Sequence, residues 1–231
     1  MKIYKPCWIL CSPRTGSSLL CSLLNSTQLF DQFLMKGTTE QKGPCQSIQG
    51  SAFNEWLRLY PDETSLYEKP PKCLKALDHQ LFHLSPSATP ERLRCVLPEI
   101  VFVKLSRRNL FEQAVSECIA KETKMYHAYD DEMLLKHKKK IVQAEDKKLL
   151  YSYENVKKDS WKNFEKHIHL EVFYEDLCSD PIGVIRDITS LMGINFQEKI
   201  FSGNSGVLRM EHPQSRSLTE RLKKIVAQQT V

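Results

Sequence analysis

No stretch of this chain approaches the ~18 consecutive apolar residues that a membrane-spanning helix needs. An integral membrane segment is therefore not expected. No cysteine pair stands at the C-x-x-C spacing of a zinc or redox motif. The eight cysteines fall at positions 7, 11, 21, 45, 73, 95, 118 and 178, several of them inside apolar runs where cysteine behaves as a small hydrophobe. Reduced thiols in a cytoplasmic protein are the expectation. Neither sign of charge dominates: 33 basic residues are interspersed with 28 acidic ones for a formal net charge of +5. That balance argues against coating a polyanion such as nucleic acid and favours a discrete anionic ligand. The opening residues, Met1-Lys2-Ile3-Tyr4-Lys5-Pro6, lead into an apolar segment too short for a signal core. There is no internal repeat and no low-complexity segment. At 231 residues the chain can bury a full core without disulfide support, and residues 1–231 are read as a single domain.

What is present begins with the apolar run Cys7-Trp8-Ile9-Leu10. It is followed by Cys11-Ser12-Pro13-Arg14-Thr15-Gly16-Ser17-Ser18 and then by the helical stripe Leu19-Leu20-Cys21-Ser22-Leu23-Leu24. That order reads as strand, tight loop, helix. Such a loop aims backbone N–H groups and the positive end of the helix dipole at one spot, where Arg14 adds a cation and Ser17 and Ser18 add hydroxyl donors. The spot suits phosphate. The nucleotide-triphosphate pattern G-x-x-x-x-G-K-[ST] is nevertheless unmet, because Ser12 stands where its first Gly belongs and Ser17 where its Lys belongs. An ATP or GTP hydrolase is thus the wrong default.

The first helix is expected to stop near Asn25-Ser26-Thr27, and residues 28–61 read as a loop-rich, substrate-facing region. Lys72-Cys73-Leu74-Lys75-Ala76-Leu77 reads as a strand, and residues 78–84 as a helix. Ile100-Val101-Phe102-Val103-Lys104-Leu105 is the near-continuous apolar run of a buried parallel strand, and Asn109 opens a helix behind it. Residues 130–166 read as strongly helical and charged, with the run Lys136-His137-Lys138-Lys139-Lys140 as a solvated face and Leu149, Leu150 and Tyr153 on one side. Residues 169–174 alternate like a strand. Asp180-Pro181 is an N-cap with proline in the first turn, opening a helix to Met192 that Gly193 closes. Ser217-Leu218-Thr219-Glu220 reads as a capping box starting a last helix through about Val226. Strands alternating with helices predict an α/β fold of P-loop type, a parallel sheet flanked by helices on both faces, with ligands at the carboxyl ends of the strands.

Arg108 lies just beyond the second buried strand and Ser116 two turns into the helix that follows. Alone, this spacing reads as readily as a surface arginine and a backbone-bonded serine. Together with the first loop it matches a nucleotide carrying phosphates at both its 5′ and 3′ positions. Pro13-Arg14-Thr15-Gly16-Ser17-Ser18, Ser106-Arg107-Arg108-Asn109 running into Gln113-Ala114-Val115-Ser116, and Val172-Phe173-Tyr174-Glu175-Asp176-Leu177 resemble the PAPS-dependent sulfotransferases. The R-R-x-x-x-x-Q-A-V-S arrangement is most similar to the Stf-zero branch, whose known member sulfates trehalose. The resemblance implies that Ser12, Arg14, Thr15, Gly16, Ser17 and Ser18 hold the 5′-phosphosulfate of 3′-phosphoadenosine 5′-phosphosulfate (PAPS) and that Arg108 and Ser116 hold its 3′-phosphate. It also implies that Lys75 stands near the transferring group, although Lys75 reads equally as a surface lysine at a strand end. Arg209, in a late loop with His212 and Arg216, would fold over the nucleotide or simply lie on the surface. Tyr174-Glu175-Asp176-Leu177 reads as a strand end and turn.

Sulfuryl transfer in line from phosphate to an alcohol spreads charge onto the bridging and equatorial oxygens, so fixed cations and N–H donors favour the transition state over the ground state. Arg14, permanently charged and with paired donors, is the residue chosen to stabilise the leaving phosphate. One base must take the alcohol proton. The sugar-sulfating relatives carry a glutamate in an acidic, proline-containing stretch soon after the first helix, and this chain has Leu29-Phe30-Asp31-Gln32-Phe33-Leu34-Met35 there instead. Asp31 and Glu40 are the carboxylates nearby, and His79 and His83 have a suitable unperturbed pKa. No metal is expected, since the two histidines lack the H-E-x-x-H glutamate and a third ligand. The acceptor implied by the branch is a small hydroxyl compound, a carbohydrate or glycolipid, and the product adenosine 3′,5′-bisphosphate (PAP). Homodimerisation stays open. So do two other functions: a non-catalytic module binding a phosphonucleotide or a protein partner on the same scaffold, and a P-loop nucleotide kinase.

Overall fold

The computed structural model describes residues 5–27, 29, 73–77, 89–96, 98–126, 128, 130–158, 160–198, 201 and 210–229. Four strands form one parallel sheet in the order β2-β1-β3-β4: β1 (Cys7–Cys11), β2 (Cys73–Leu77), β3 (Val101–Ser106) and β4 (Ile168–Phe173). The central position of β1 explains its unbroken apolar run, since a parallel strand with neighbours on both edges and layers on both faces has no solvent side. Ile9 pairs with Lys75 on one edge and Val103 on the other.

The described residues fall into two compact units, 1–106 with 160–204, and 107–159 with 205–231. The sheet belongs to the first unit. Its alternating side chains Cys7, Ile9, Cys11, Val103, Leu105 and Val172 enter a buried cluster with Leu20, Cys21 and Leu24 of α1 (Ser17–Ser26) and with Leu177 of a short later helix. Trp8, Leu10 and Phe102 point the other way, all fully buried. On that face the Phe102 ring meets Phe164 edge-on at 5.4 Å, and Phe164 meets Trp161 at the same distance. Phe164 lies in a 3-10 turn (Lys162–His167), and the Arg94 guanidinium of α2 (Pro90–Val96) lies 5.9 Å from the Phe102 ring centre. Helices thus flank both faces, as the alternation of strands and helices predicts.

The second unit packs α3 (Leu110–Thr123), α4 (Asp131–Lys139), α5 (Asp146–Lys157) and the last helix α8 (Ser215–Gln229). Its core joins Ala114, Val115, Cys118 and Ile119 to Leu149, Tyr153, Leu218 and Leu222. The segment between α4 and α5 is held by side chains of the C-terminal stretch. Gln214 accepts from the Val142 N–H at 2.8 Å and donates to the Val142 carbonyl at 3.1 Å, while His212 Nε2 sits 2.9 Å from the Lys140 carbonyl. Gln214 acts there as one residue of a strand partner.

Sequence signals at helix starts are obeyed closely. Asn109, Asp130 and Asp180 each accept from the backbone N–H three residues on, at 3.1, 2.7 and 2.9 Å. Pro181 occupies the first turn of α7 (Pro181–Leu191), which Gly193 closes at φ 76°. Other expectations are corrected. The helical stretch 130–166 is two helices and a 3-10 turn, with 140–145 non-helical between α4 and α5. Within the lysine run His137 is only 2% exposed, its ring centre 5.1 Å from that of His212, so the face is not wholly solvated. Ser217 caps nothing, because α8 already begins at Ser215 and the Ser217 hydroxyl donates to the Gln214 carbonyl at 3.0 Å. Tyr174 is not the end of a strand but the first residue of α6 (Tyr174–Ser179). Helix α2 went unread, although Thr89-Pro90-Glu91 carries the same cap-then-proline signature as Asp180-Pro181.

Candidate functional site

The loop after β1 winds through two left-handed residues separated by one. Arg14 has φ 64° and Gly16 has φ 88°. Glycine takes this conformation freely, but an L side chain held there costs roughly 1 kcal/mol. Among the described residues only Arg14 and Lys124 adopt it without being glycine. Thr15 between them is buried, 2% exposed, and its hydroxyl donates to the Ser12 carbonyl at 2.9 Å, closing the loop on itself. The Thr15 hydroxyl proton is thereby committed to the loop, and its backbone N–H is what it offers a ligand.

Gly16 is the N-cap of α1. It has no side chain to take the helix's first N–H groups, and no acidic residue stands in the first turn. The first helical hydrogen bond runs from Leu20 N–H to the Gly16 carbonyl at 3.0 Å. Above it the orphan N–H groups of Ser17 and Ser18 sit at the positive end of the dipole. With Arg14 in the same turn, the loop has the donor set for one tetrahedral oxyanion, a phosphate or sulfate.

Gly16 is also pressed by a neighbour. A Cβ placed on it would lie 2.4 Å from Cδ2 and 3.0 Å from Cε2 of Tyr174, so the edge of that ring lies against the glycine. Two independent facts therefore require glycine at position 16, the sign of φ and the closeness of Tyr174. Nothing in local spacing connects residues 16 and 174.

Arg108 and Ser116 belong to the second unit. Arg108 follows β3 by two residues and is exposed, and Ser116 is half-buried on α3. The two adjacent arginines differ. Arg107 is turned onto Glu112 at 2.9 Å with its side chain 13% exposed, which occupies it with its own helix. Asn109, the cap of α3, shares a helix face with Glu112 and Ser116 by their three- and four-residue spacing. Sequence alone could not say which of the pair faces outward.

Lys75 lies at the middle of β2, opposite Ile9; its side chain falls outside the described part of the structure. Asp31, Glu40, His79, His83 and Arg209 also lie outside the described residues. Among the described residues no group of three or more histidine, cysteine, aspartate or glutamate side chains is arranged to hold a metal ion, and no helix is long and apolar enough to cross a membrane.

Comparison with known proteins adds the following. The family model of the Stf0 sulphotransferases matches residues 71–224, about two-thirds of the chain. No curated protein matches it. Among solved structures, the sulfotransferase domain of the Synechococcus PCC 7002 olefin synthase is similar at 16% identity and TM-score 0.43, covering 95% of this chain and 88% of that one. Sulfotransferase STF1 from Mycobacterium tuberculosis H37Rv is similar at 12% identity and TM-score 0.48, covering 95% and 76%. Retinol dehydratase, solved with androsterone and PAP, is similar at 14% identity and TM-score 0.46, covering 96% and 80%.

Proposed function

Because the chain belongs to the Stf0 sulphotransferase family, we propose that it transfers the sulfuryl group of PAPS to a hydroxyl of a small acceptor, a carbohydrate or glycolipid. The observation that carries this reading is the loop after β1. It lies outside the matched stretch, so its support is its own chemistry: an uncapped helix start, a left-handed glycine and an arginine retained at φ 64°. It lacks the lysine with which P-loop kinases and hydrolases hold the β- and γ-phosphates, which favours a phosphosulfate donor over a triphosphate.

In this reading the donor's phosphosulfate lies against the N–H groups of residues 15–18, and Arg14 meets the oxygen that bridges phosphorus and sulfur. Its 3′-phosphate is taken by Arg108 and Ser116, with Arg209 closing over the nucleotide. The acceptor oxygen attacks sulfur in line as the sulfur–oxygen bond to phosphate breaks. The acceptor proton passes to a base, and PAP leaves carrying the charge. Negative charge grows on the bridging oxygen during the step, so a fixed guanidinium there binds the transition state more strongly than the donor. Asp31, Glu40, His79 and His83 are the candidates for the base, and Lys75 for a second cation beside the sulfuryl group. No metal is needed for the charge balance.

Two measurements test this. PAP should raise the melting temperature by mass action while ATP with Mg²⁺ should not; the reverse pattern would point to a kinase. Incubation with sulfur-labelled PAPS and fractionated carbohydrates and glycolipids should then move label into one acceptor. Tight PAP binding with no labelled acceptor in any fraction would replace the enzyme with a binding module.

A further inference from the structure

We propose that Tyr174 is a positioning residue for the anion-binding loop, holding the left-handed Gly16 peptide in place from the end of β4, one strand beyond β3. The two residues are 158 positions apart and come from different strand ends: Gly16 follows β1, and Tyr174 follows β4, with β3 lying between those strands. The contact is therefore made by the fold and not by local sequence. The Tyr174 ring lies so close that a single methyl group at residue 16 would sit 2.4 Å from it.

Both ends of the contact are anchored in one buried cluster. Leu20, Cys21 and Leu24 on α1 and Leu177 on α6 are each no more than 1% exposed and pack together there. Phe173, the residue before Tyr174, is in register with Ser106 at the end of β3. The ring consequently cannot retreat by a helix shift without disturbing that cluster. What it presses on is the peptide whose carbonyl accepts the first α1 hydrogen bond, from Leu20 at 3.0 Å. A glycine in this position has the largest conformational freedom of any residue, and α1 has no side-chain cap to hold its start. The edge of an aromatic ring set against that peptide supplies the missing restraint. The orientation of the Ser17 and Ser18 N–H groups follows from it, as does the preorganisation on which electrostatic stabilisation depends.

That the loop holds a phosphosulfate rests on the function proposed above, whereas the clamp itself does not, and the experiment separates them. Amide hydrogen exchange at Leu20 and Cys21 should speed up on the order of tenfold in Tyr174→Ala, the upper range for one aromatic contact. Tyr174→Phe should restore protection to within about twofold, because ring packing and not the hydroxyl is the restraint. PAP affinity should fall with the same ranking, Ala weaker than Phe, and any transfer activity should show a lower kcat as well as a higher donor KM. If Tyr174→Ala fails to fold, Tyr174→Leu, which keeps bulk but not a flat ring, carries the same exchange measurement. Unchanged exchange at Leu20 in a folded Ala or Leu variant overturns the proposal. Faster exchange in a protein whose wild type binds no PAP would leave the clamp standing and remove the donor reading instead.

Discussion

Replacing Arg14 by glycine separates what the backbone of the loop requires from what its cation does. At φ 64° an L side chain costs roughly 1 kcal/mol that glycine does not. Glycine in turn loses more freedom on folding, by roughly 0.5–1 kcal/mol. These terms nearly cancel, so Arg14→Gly should keep its stability within about 1 kcal/mol of wild type, a melting shift of roughly 2–4 °C for a chain of this size. Ligand binding should respond very differently. Hydrogen bonds from a charged donor to an anion contribute about 1.5–3 kcal/mol, so PAP affinity should fall roughly 10–150-fold. Urea denaturation followed by circular dichroism measures the first quantity, and titration calorimetry with PAP the second. Arg14→Ala should lose as much binding, since it too lacks the guanidinium while keeping the left-handed strain. The reasoning fails if Arg14→Gly unfolds more easily by over about 2 kcal/mol while binding PAP normally, because Arg14 would then be a structural residue that happens to lie beside a helix start.

Gly16→Ala meets both the positive φ and the Tyr174 ring at 2.4 Å; overpacking of that kind costs about 1–3 kcal/mol beyond the backbone strain, and urea midpoints of Gly16→Ala with and without Tyr174→Ala should show that only the overpacking part is relieved. Arg108→Ala should weaken PAP binding about tenfold or more, whereas Arg107→Ala, which gives up the 2.9 Å pair with Glu112 and the packing of a largely buried side chain, should lower stability and leave binding nearly intact; calorimetry and melting of the two variants side by side would expose a reversal. Gln214→Ala removes both partners of Val142 and should cost about 1–3 kcal/mol in urea denaturation. His169 accepts the Phe102 N–H at 3.0 Å in its neutral form, and burial, then the nearby Arg94, push its pKa below the ordinary 6.5. The unfolded chain therefore binds the proton first, and stability should fall as pH drops from 6.5 toward the folded pKa; His169→Gln, an acceptor that does not titrate, should lose less between pH 7.5 and 5.5.

That histidine also shows why some of the fold escapes sequence reading. In the register of β3 and β4, Phe102 faces Ile168 and Val103 faces Leu170, so His169 bulges out and its ring nitrogen replaces the missing backbone acceptor. Alternation in 169–174 predicts a strand but cannot announce the extra residue. Tyr174 shows the same limit from the other side. Its tyrosine-glutamate-aspartate-leucine context reads as a strand end and turn, yet its ring is one of the two reasons residue 16 must be glycine.

By itself the sequence determined what depends on neighbours a few residues apart. The buried strands, the helix starts at Asn109 and Asp130, the cap at Asp180, and the loop with its arginine and glycine in front of α1 were all legible, because apolar period, capping carboxylates and the freedom of glycine act over one or two turns. Tertiary structure alone decided which side chain straps Val142 and which ring lies against Gly16. Those choices are made between segments tens to more than a hundred residues apart, where the deciding energy is packing and desolvation against a partner that no local spacing identifies.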